Sequence, residues 1–320
     1  MKKGATLRVC YEAGPTGYGI HRRLSEAGID CEVVAPSLIP VQSGNRVKTD
    51  RRDAKRLAQL HRAGELTPIY VPDEAAEALR DLERAREDAK RAQTVARHQL
   101  SKFLLRHGRR YTESGNWTLR HLAWIARQQF DQPAQQRVLG DYRNTLQLAT
   151  ERLAQLERDI DELVWTTALA PLVKALMAMR GVALVTATTV AAEVGDFRRF
   201  PTAGSFMAYL GLVPSEHSSG ATQRRGSLTR TGNRRVRRLL VEAAHHYRYR
   251  PNMSRELARR NEGIAENVRL IAWRAQHRLH RRLRQLTARG KSHPKAIAAV
   301  ARELAGFMWA IGQEQELVAA

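Results

Sequence analysis

The segment LRVCYEAGPTGYGIHRRLSEAGIDCEVVAP, residues 7–36, holds two short apolar runs separated by a glycine-rich turn and a helical stretch. Leu7 to Tyr11 reads as a strand, Gly14 to Gly19 as a turn, and Ile20 to Ala27 as a helix. Cys31 to Ala35 repeats the strand signal through Val33 and Val34, and Pro36 ends it. Strand, helix, strand in this order predicts a βαβ unit with a parallel pair, so the amino-terminal part is of α/β class. A parallel sheet needs cover on both faces.

Outward from that unit, Thr49 or Asp50 is placed to cap a helix whose apolar stripe runs through Ala54, Leu57, Ala58 and Leu60. Asp73 to Leu105 predicts a long helix dense in Ala, Arg, Glu and Leu. A second long helix carries Leu146, Ala149, Leu153, Leu156, Ile160 and Leu163 at alternating spacings of three and four, the heptad rhythm of a coiled-coil seam. The two helices predict a protruding arm or a subunit interface, with a core-facing stripe on a bundle as the alternative. Leu172 to Met179 and Val182 to Val194 predict two apolar helices around a turn at Gly181, in the manner of a helix-hairpin-helix module or of plain core. Residues 214–231 read as a polar loop. The expected domains are 1–72, 73–166 and 167–320, the last mainly α.

The 320 residues include 54 Lys and Arg against 32 Asp and Glu, a net charge of +22 that makes a polyanion the first expected partner. Between Ala221 and Gly290 stand 19 Arg and no Lys against four Glu and no Asp, which is +15 of that total. Arginine suits bidentate phosphate contacts, and Arg224, Arg225, Arg230, Arg234, Arg235, Arg237 and Arg238 open the run. Tyr247, Tyr249 and Trp273 interleave with it as base-stacking candidates, each also readable as core packing. A hydrophobic content of 43% is that of a globular protein and excludes a disordered basic tail. Two cysteines, Cys10 and Cys31, make neither a disulfide scaffold nor a four-cysteine zinc site. No long apolar run or secretory signal is present, so no membrane partner is expected and the setting is a cytoplasmic, nucleoid-associated one.

Two groups of residues have the chemistry of a site. Glu12 follows the first strand, at the sheet edge where such folds place ligands, and Asp50 and Asp53 share one face of a first helical turn. Carboxylates in a basic protein fit hard cations, Mg²⁺ or Mn²⁺, that link them to phosphate oxygens. The plainer reading makes Asp50 a cap and Asp53 a first-turn acid favoured by the helix dipole. Ser218 and Ser219 precede the arginine run, and a hydroxyl beside phosphate-binding cations can attack a phosphodiester. As turn formers they would need no such role.

Taken in order, Tyr11-Glu12-Ala13-Gly14-Pro15-Thr16-Gly17-Tyr18-Gly19, Lys48-Thr49-Asp50-Arg51-Arg52-Asp53-Ala54, Arg180-Gly181-Val182, Gly195-Asp196-Phe197-Arg198-Arg199-Phe200, Leu210-Gly211-Leu212-Val213-Pro214, His217-Ser218-Ser219-Gly220 and Thr231-Gly232-Asn233 resemble the DEDD-type transposases of the insertion-sequence one-ten family, Piv-like recombinases. The resemblance spans nearly the whole chain. It implies an N-terminal RuvC-like domain of ribonuclease-H type, a coiled-coil arm and a C-terminal transposase domain. Glu12, Asp50 and Asp53 would match the family's second to fourth acids as metal ligands, and Ser219 rather than Ser218 its nucleophile. Donor and target DNA, a structured bridge RNA as guide, and a homo-oligomer, dimer or tetramer, are the implied partners. The family's first acid lies on an earlier strand, and nothing acidic precedes Glu12 here, so an incomplete RuvC-like sheet is expected. A non-catalytic nucleic-acid-binding remnant and a RuvC-like junction nuclease are the rival readings; the nuclease would not need Ser219.

Overall fold

A computed structural model describes residues 6–40, 49–219 and 222–314, which form two compact units, residues 1–73 and 74–320. In the first unit, β1 (Arg8–Glu12) and β2 (Asp30–Val34) pair in parallel, with Val9 opposite Cys31 and Glu12 opposite Val34. The connecting helix α1 (Gly19–Glu26) packs on β2, and α2 (Asp50–Ala63) packs on β1. The βαβ expectation therefore holds. Cys31, Val33, Val34 and Leu66 form its small core, and the thiols of Cys10 and Cys31 are free. Tyr11 Oη donates to the Gly17 carbonyl at 3.0 Å, tying the glycine turn back to the strand.

Thr49 supplies the cap of α2. Its side chain accepts from the Arg52 amide, and Gly64 closes the other end in the left-handed conformation at φ 72°. Asp50 is thus not needed as a cap. It and Asp53 are first-turn acids.

The second unit begins with α3 (Glu74–Arg106) and α5 (Pro133–Leu163), which run antiparallel along each other. Arg86 Nε donates to Glu157 at 3.0 Å and Gln93 Nε2 to Thr150 at 3.1 Å, contacts that march in opposite directions along the two helices. Leu139, Leu146, Leu153 and Ile160 of α5 are buried at intervals of seven residues, so one position of the heptad rhythm faces α3. The far end is closed by a separate cluster. Phe103, Leu104, Ile125 and Leu139 are buried there, with Trp117, Trp124, Phe130 and Tyr142 packed on them and α4 (Leu119–Ala126) between the long helices.

The larger core lies among α6 (Ala170–Leu176), α7 (Leu184–Val194), α8 (Ala203–Tyr209), α9 (Arg234–Ala244), α11 (Glu266–Ala288) and α12 (His293–Gly312), with α10 (Arg255–Arg260) between α9 and α11 in sequence. Among its largest buried side chains are Phe197, Phe206, Leu240, Tyr247 and Met179. Eight of the eleven residues of α7 are buried, so the apolar hairpin around Gly181 is core material. Gly181, at φ 79°, would place a Cβ 2.7 Å from the Ala243 carbonyl.

Residues 214–231, expected as a loop, instead contain an antiparallel hairpin of β3 (Pro214–Ser219) and β4 (Thr222–Leu228). Both strands are made almost wholly of polar residues, so they carry no alternation that would mark them. Backbone pairing holds them, from Pro214 opposite Leu228 to Ser219 opposite Thr222. The described residues are mostly helical, with two small sheets.

At the foot of α3, Glu83 is buried against α7. Its carboxyl is pushed up to about 7, chiefly by burial and against the opposing pull of Thr189 and Arg86. The Thr189 hydroxyl lies 2.9 Å from Glu83 Oε2 and 2.7 Å from the Val185 carbonyl, with a single proton to serve both. A carboxyl raised above its unfolded value binds more protons in the native state, so its contribution is present at low pH and lost as pH rises from about 4.5 to about 7. The size is about 3 kcal/mol. Glu83→Gln, neutral throughout, is expected to flatten that stretch of the pH dependence, measured by urea unfolding at pH 5 and pH 7.5. An unchanged difference between the two pH values would show that Glu83 does not carry it.

Candidate functional site

In the first unit, Glu12, Asp50 and Asp53 line one cleft of about 890 Å³ between β1 and α2. Glu12 ends β1, and the two aspartates sit a helical turn apart at the start of α2, so strand end and first turn bring all three to the lining of one cleft. Glu12 and Asp50 are exposed and Asp53 is partly covered. Among the described residues none of the three is in an ion pair, despite Arg51, Arg52, Lys55 and Arg56 beside them. The donors are oxygen atoms only, as a hard cation requires. Among the described residues no three His, Cys, Asp or Glu groups form a ready metal cluster. Mg²⁺ does not need one, since it is commonly held by one or two carboxylates with waters and substrate phosphate. In kind, the residues fit such an ion.

In the second unit, Ser219 ends β3 and is exposed. Gly220 lies outside the described residues. Across the hairpin, β4 brings the backbone of Arg224 opposite His217 and of Arg225 opposite Glu216. After β4 the chain turns through Arg230, held at φ 55°, and Gly232 into α9. Asn233 caps α9 by accepting from the Val236 amide at 3.0 Å, while its own amide donates to Glu193 at 2.8 Å.

The base of the hairpin is closed between the segments that flank it, Leu210–Val213 before β3 and Thr229–Thr231 after β4. Thr229 N donates to the Val213 carbonyl at 2.9 Å and Arg230 N to that of Gly211 at 3.2 Å. Arg237 reaches from α9 to bond the carbonyls of Leu210 at 2.8 Å and Thr231 at 2.7 Å. Its guanidinium is held below its usual range by burial first, then by the charges of Arg230 and Arg234. Arg230, Arg234 and Arg237 thus form a cationic cluster beside the hairpin. Among the described residues the first two are exposed and have no ion pair.

The remaining predicted arginines of α9 are engaged within the unit. Arg235 pairs with Glu87 of α3, and Arg238 with Glu87 at 3.5 Å and Glu242 at 2.8 Å. Sequence reading did not find Glu87 or Glu193. Arg84 pairs with Glu193 at 3.0 Å; burial alone would raise this carboxyl, but Arg84 and Asn233 hold it below its usual range. These partners lie 40 to 151 residues from the side chains they bind, beyond any local signal. Tyr247 is buried, which fits core packing, whereas Tyr249 and Trp273 are 56% and 38% exposed.

No helix among the described residues is long and apolar enough to cross a membrane. A DEDD-type family model described as "Transposase" matches residues 2–108, and the model of the "Transposase IS116/IS110/IS902 family" matches residues 173–258. The carboxylate cleft falls in the first match, and the serine hairpin with α9 in the second. The chain is 50% identical to the y4qE protein of Sinorhizobium fredii over 305 residues, covering 95% of this chain and 75% of that one. It is 31% identical to the transposase for insertion sequence element IS1533 of Leptospira borgpetersenii, covering 89% of this chain and 83% of the relative. A third relative, the transposase for insertion sequence element IS1328 of Yersinia enterocolitica, is 25% identical over 77% of this chain and 73% of its own length. With the two matched segments holding the two candidate groups of residues, the chain belongs to the IS116/IS110/IS902 family and is a DNA transposase.

Proposed function

We propose that this transposase cuts and rejoins DNA through Ser219, with Glu12, Asp50 and Asp53 as the ligand set for Mg²⁺ or Mn²⁺. The observation that supports the reading is the placement of Ser219: an exposed residue at the end of β3, in a hairpin whose base is closed beside the cationic cluster of Arg230, Arg234 and Arg237. Ser219 Oγ forms a bond to phosphorus as one bond from phosphorus to a deoxyribose oxygen breaks. The hydroxyl proton is lost to a base, and the released sugar oxygen takes one up. The bond energy stays in the phosphoserine diester, so a second strand end can reverse the step and be joined. Arg230 and Arg234 neutralise the charge that builds on the phosphate oxygens, with Arg224 and Arg225 supplied from β4.

A divalent ion, when bound, supplies charge neutralisation at a phosphate oxygen. The amino-terminal strands and helices read best as a part of a RuvC-like, ribonuclease-H-type sheet whose edge presents the acids. The basic segment and the family resemblance support a structured guide RNA as a further partner, and exposed Leu148 and Leu163 on α5 support a homo-oligomer, dimer or tetramer.

Two experiments test the parts separately. Covalent protein–DNA adducts on supercoiled donor DNA are expected from the wild type and from Ser218→Ala. Equal adduct yield from Ser219→Ala would refute the serine assignment. Glu12→Gln with Asp53→Asn is expected to weaken Mn²⁺ binding in the presence of donor DNA by tenfold or more, read from the electron paramagnetic resonance signal of free Mn²⁺. Unchanged Mn²⁺ affinity would remove the carboxylates from the metal site.

A further inference from the structure

A second cationic site lies away from the serine hairpin, between the segment Tyr249–Asn252 and α11. Its groove of about 480 Å³ is lined by Arg250, Pro251, His277, His280, Arg281 and Arg284, without a carboxylate. The α11 side of the groove belongs to a solvent-facing stripe, on which Trp273, His277, Arg281 and Arg284 recur at helical spacing while Ala272, Ala275, Leu279 and Leu283 are buried behind them.

The wall opposite α11 is fixed from behind. Arg180 donates to three carbonyls of that segment, Tyr249 at 3.1 Å, Arg250 at 2.8 Å and Asn252 at 2.9 Å. The Asn252 amide donates to Gln276, which is 1% exposed on α11 itself. His280 is held by its Nδ1 to the Tyr247 carbonyl at 3.0 Å, so Nδ1 carries the proton. The groove is therefore set before any ligand arrives.

Charge is distributed unevenly around α11. On the side facing α12, Arg278 and Arg282 share Glu303, at 2.9 and 3.0 Å. On the groove side, Arg250, Arg281 and Arg284 have no ion pair among the described residues. Two exposed aromatic rings stand next to this unpaired charge. Trp273 meets His277 edge to face at 4.7 Å between ring centres, and Tyr249 adjoins Arg250 with the Arg248 guanidinium 4.7 Å above its ring.

We propose that this groove binds a single-stranded stretch of nucleic acid, with Arg250, Arg281 and Arg284 on the phosphates and Trp273 and Tyr249 stacking on unpaired bases. A duplex keeps its bases stacked on one another and has no use for the two rings, whereas a single strand has a face for each. The proposal stands apart from the bond-making assigned to Ser219 and concerns how the chain grips an unpaired strand.

The test is fluorescence anisotropy of the full chain with labelled dT20, rU20 and a 20-base-pair duplex over a range of salt. Trp273→Ala is expected to weaken binding of the single strands about tenfold or more and leave the duplex unchanged, and Trp273→Phe, which keeps a stacking ring, to stay near wild type. Arg281→Ala with Arg284→Ala is expected to lower the slope of log affinity against log salt by about 1.4 on a single strand, about 0.7 for each phosphate that the protein no longer neutralises. These side chains are exposed, so the variants are expected to fold, which thermal melts check. The stronger of the dT20 and rU20 signals identifies whether the strand is DNA or RNA. Wild-type affinity of Trp273→Ala for both single strands, an equal loss on the duplex, or an unchanged salt slope in the double variant would overturn the proposal. The serine assignment is read from covalent adducts and this proposal from strand affinity, so the two can fail separately.

Discussion

Ser219→Ala is expected to lower covalent adduct formation by at least about 10⁴-fold, the scale on which loss of a nucleophile acts, while DNA affinity and stability stay near wild type. Ser219 is exposed at a strand end, so removing one oxygen leaves no buried group unsatisfied and costs within about 0.5 kcal/mol of folding free energy. That separation makes the variant informative. A structural serine would change the melt and leave the chemistry, and a nucleophile does the reverse. The proposal places the attack on Ser219 alone, so Ser218→Ala is expected to keep forming adducts.

The second large effect is structural and acts on the same hairpin. A Cβ on Gly232 would stand 1.8 Å from the Tyr209 carbonyl oxygen, and one on Gly211 2.3 Å from that of Thr231, with both residues at positive φ. The obstacle in each case is backbone, which no rotamer change relieves. Gly232→Ala is expected to cost about 4 kcal/mol or more, a drop of about 10 °C or more in Tm, and to abolish adducts along with the hairpin's placement. Gly290 is the control. It has φ 72° and nothing within 4 Å of a built Cβ, so Gly290→Ala is expected to lose only the left-handed backbone penalty of about 1–2 kcal/mol. Similar melting shifts for the two variants would mean that the close approach at Gly232 is not what closes the hairpin.

The elements legible in the sequence are those whose apolar residues repeat. The strand through Val33 and the seven-residue repeat of α5 each bury one side, and burial imposes a period that can be read, whereas α2 buries none of its residues and its stripe is only half-covered at Leu57 and Leu60. The hairpin whose first strand ends at Ser219 is made almost wholly of polar residues, so its pattern is silent. What holds it is long-range: carbonyls of Leu210 and Thr231 gathered by Arg237, and glycines at 211 and 232 that let two backbone segments touch. The motif pieces Leu210–Pro214 and Thr231–Asn233 are visible as words in the sequence, but their contact with each other is not. The same limit hid Glu87, which takes up Arg235 and Arg238 from α3, and Glu193, which holds the cap of α9. The acids of the cleft were readable, because a strand end and a capped first turn are local features.

The central claim is that the oxygen of Ser219 becomes linked to DNA. Mass spectrometry of the nuclease-trimmed, protease-digested adduct tests it at the atom concerned. The predicted result is a nucleotide phosphate on the peptide containing Ser218 and Ser219, with fragmentation placing it on Ser219. A nucleotide on any other residue, or cleavage and rejoining of DNA with no linked peptide at all, would contradict it.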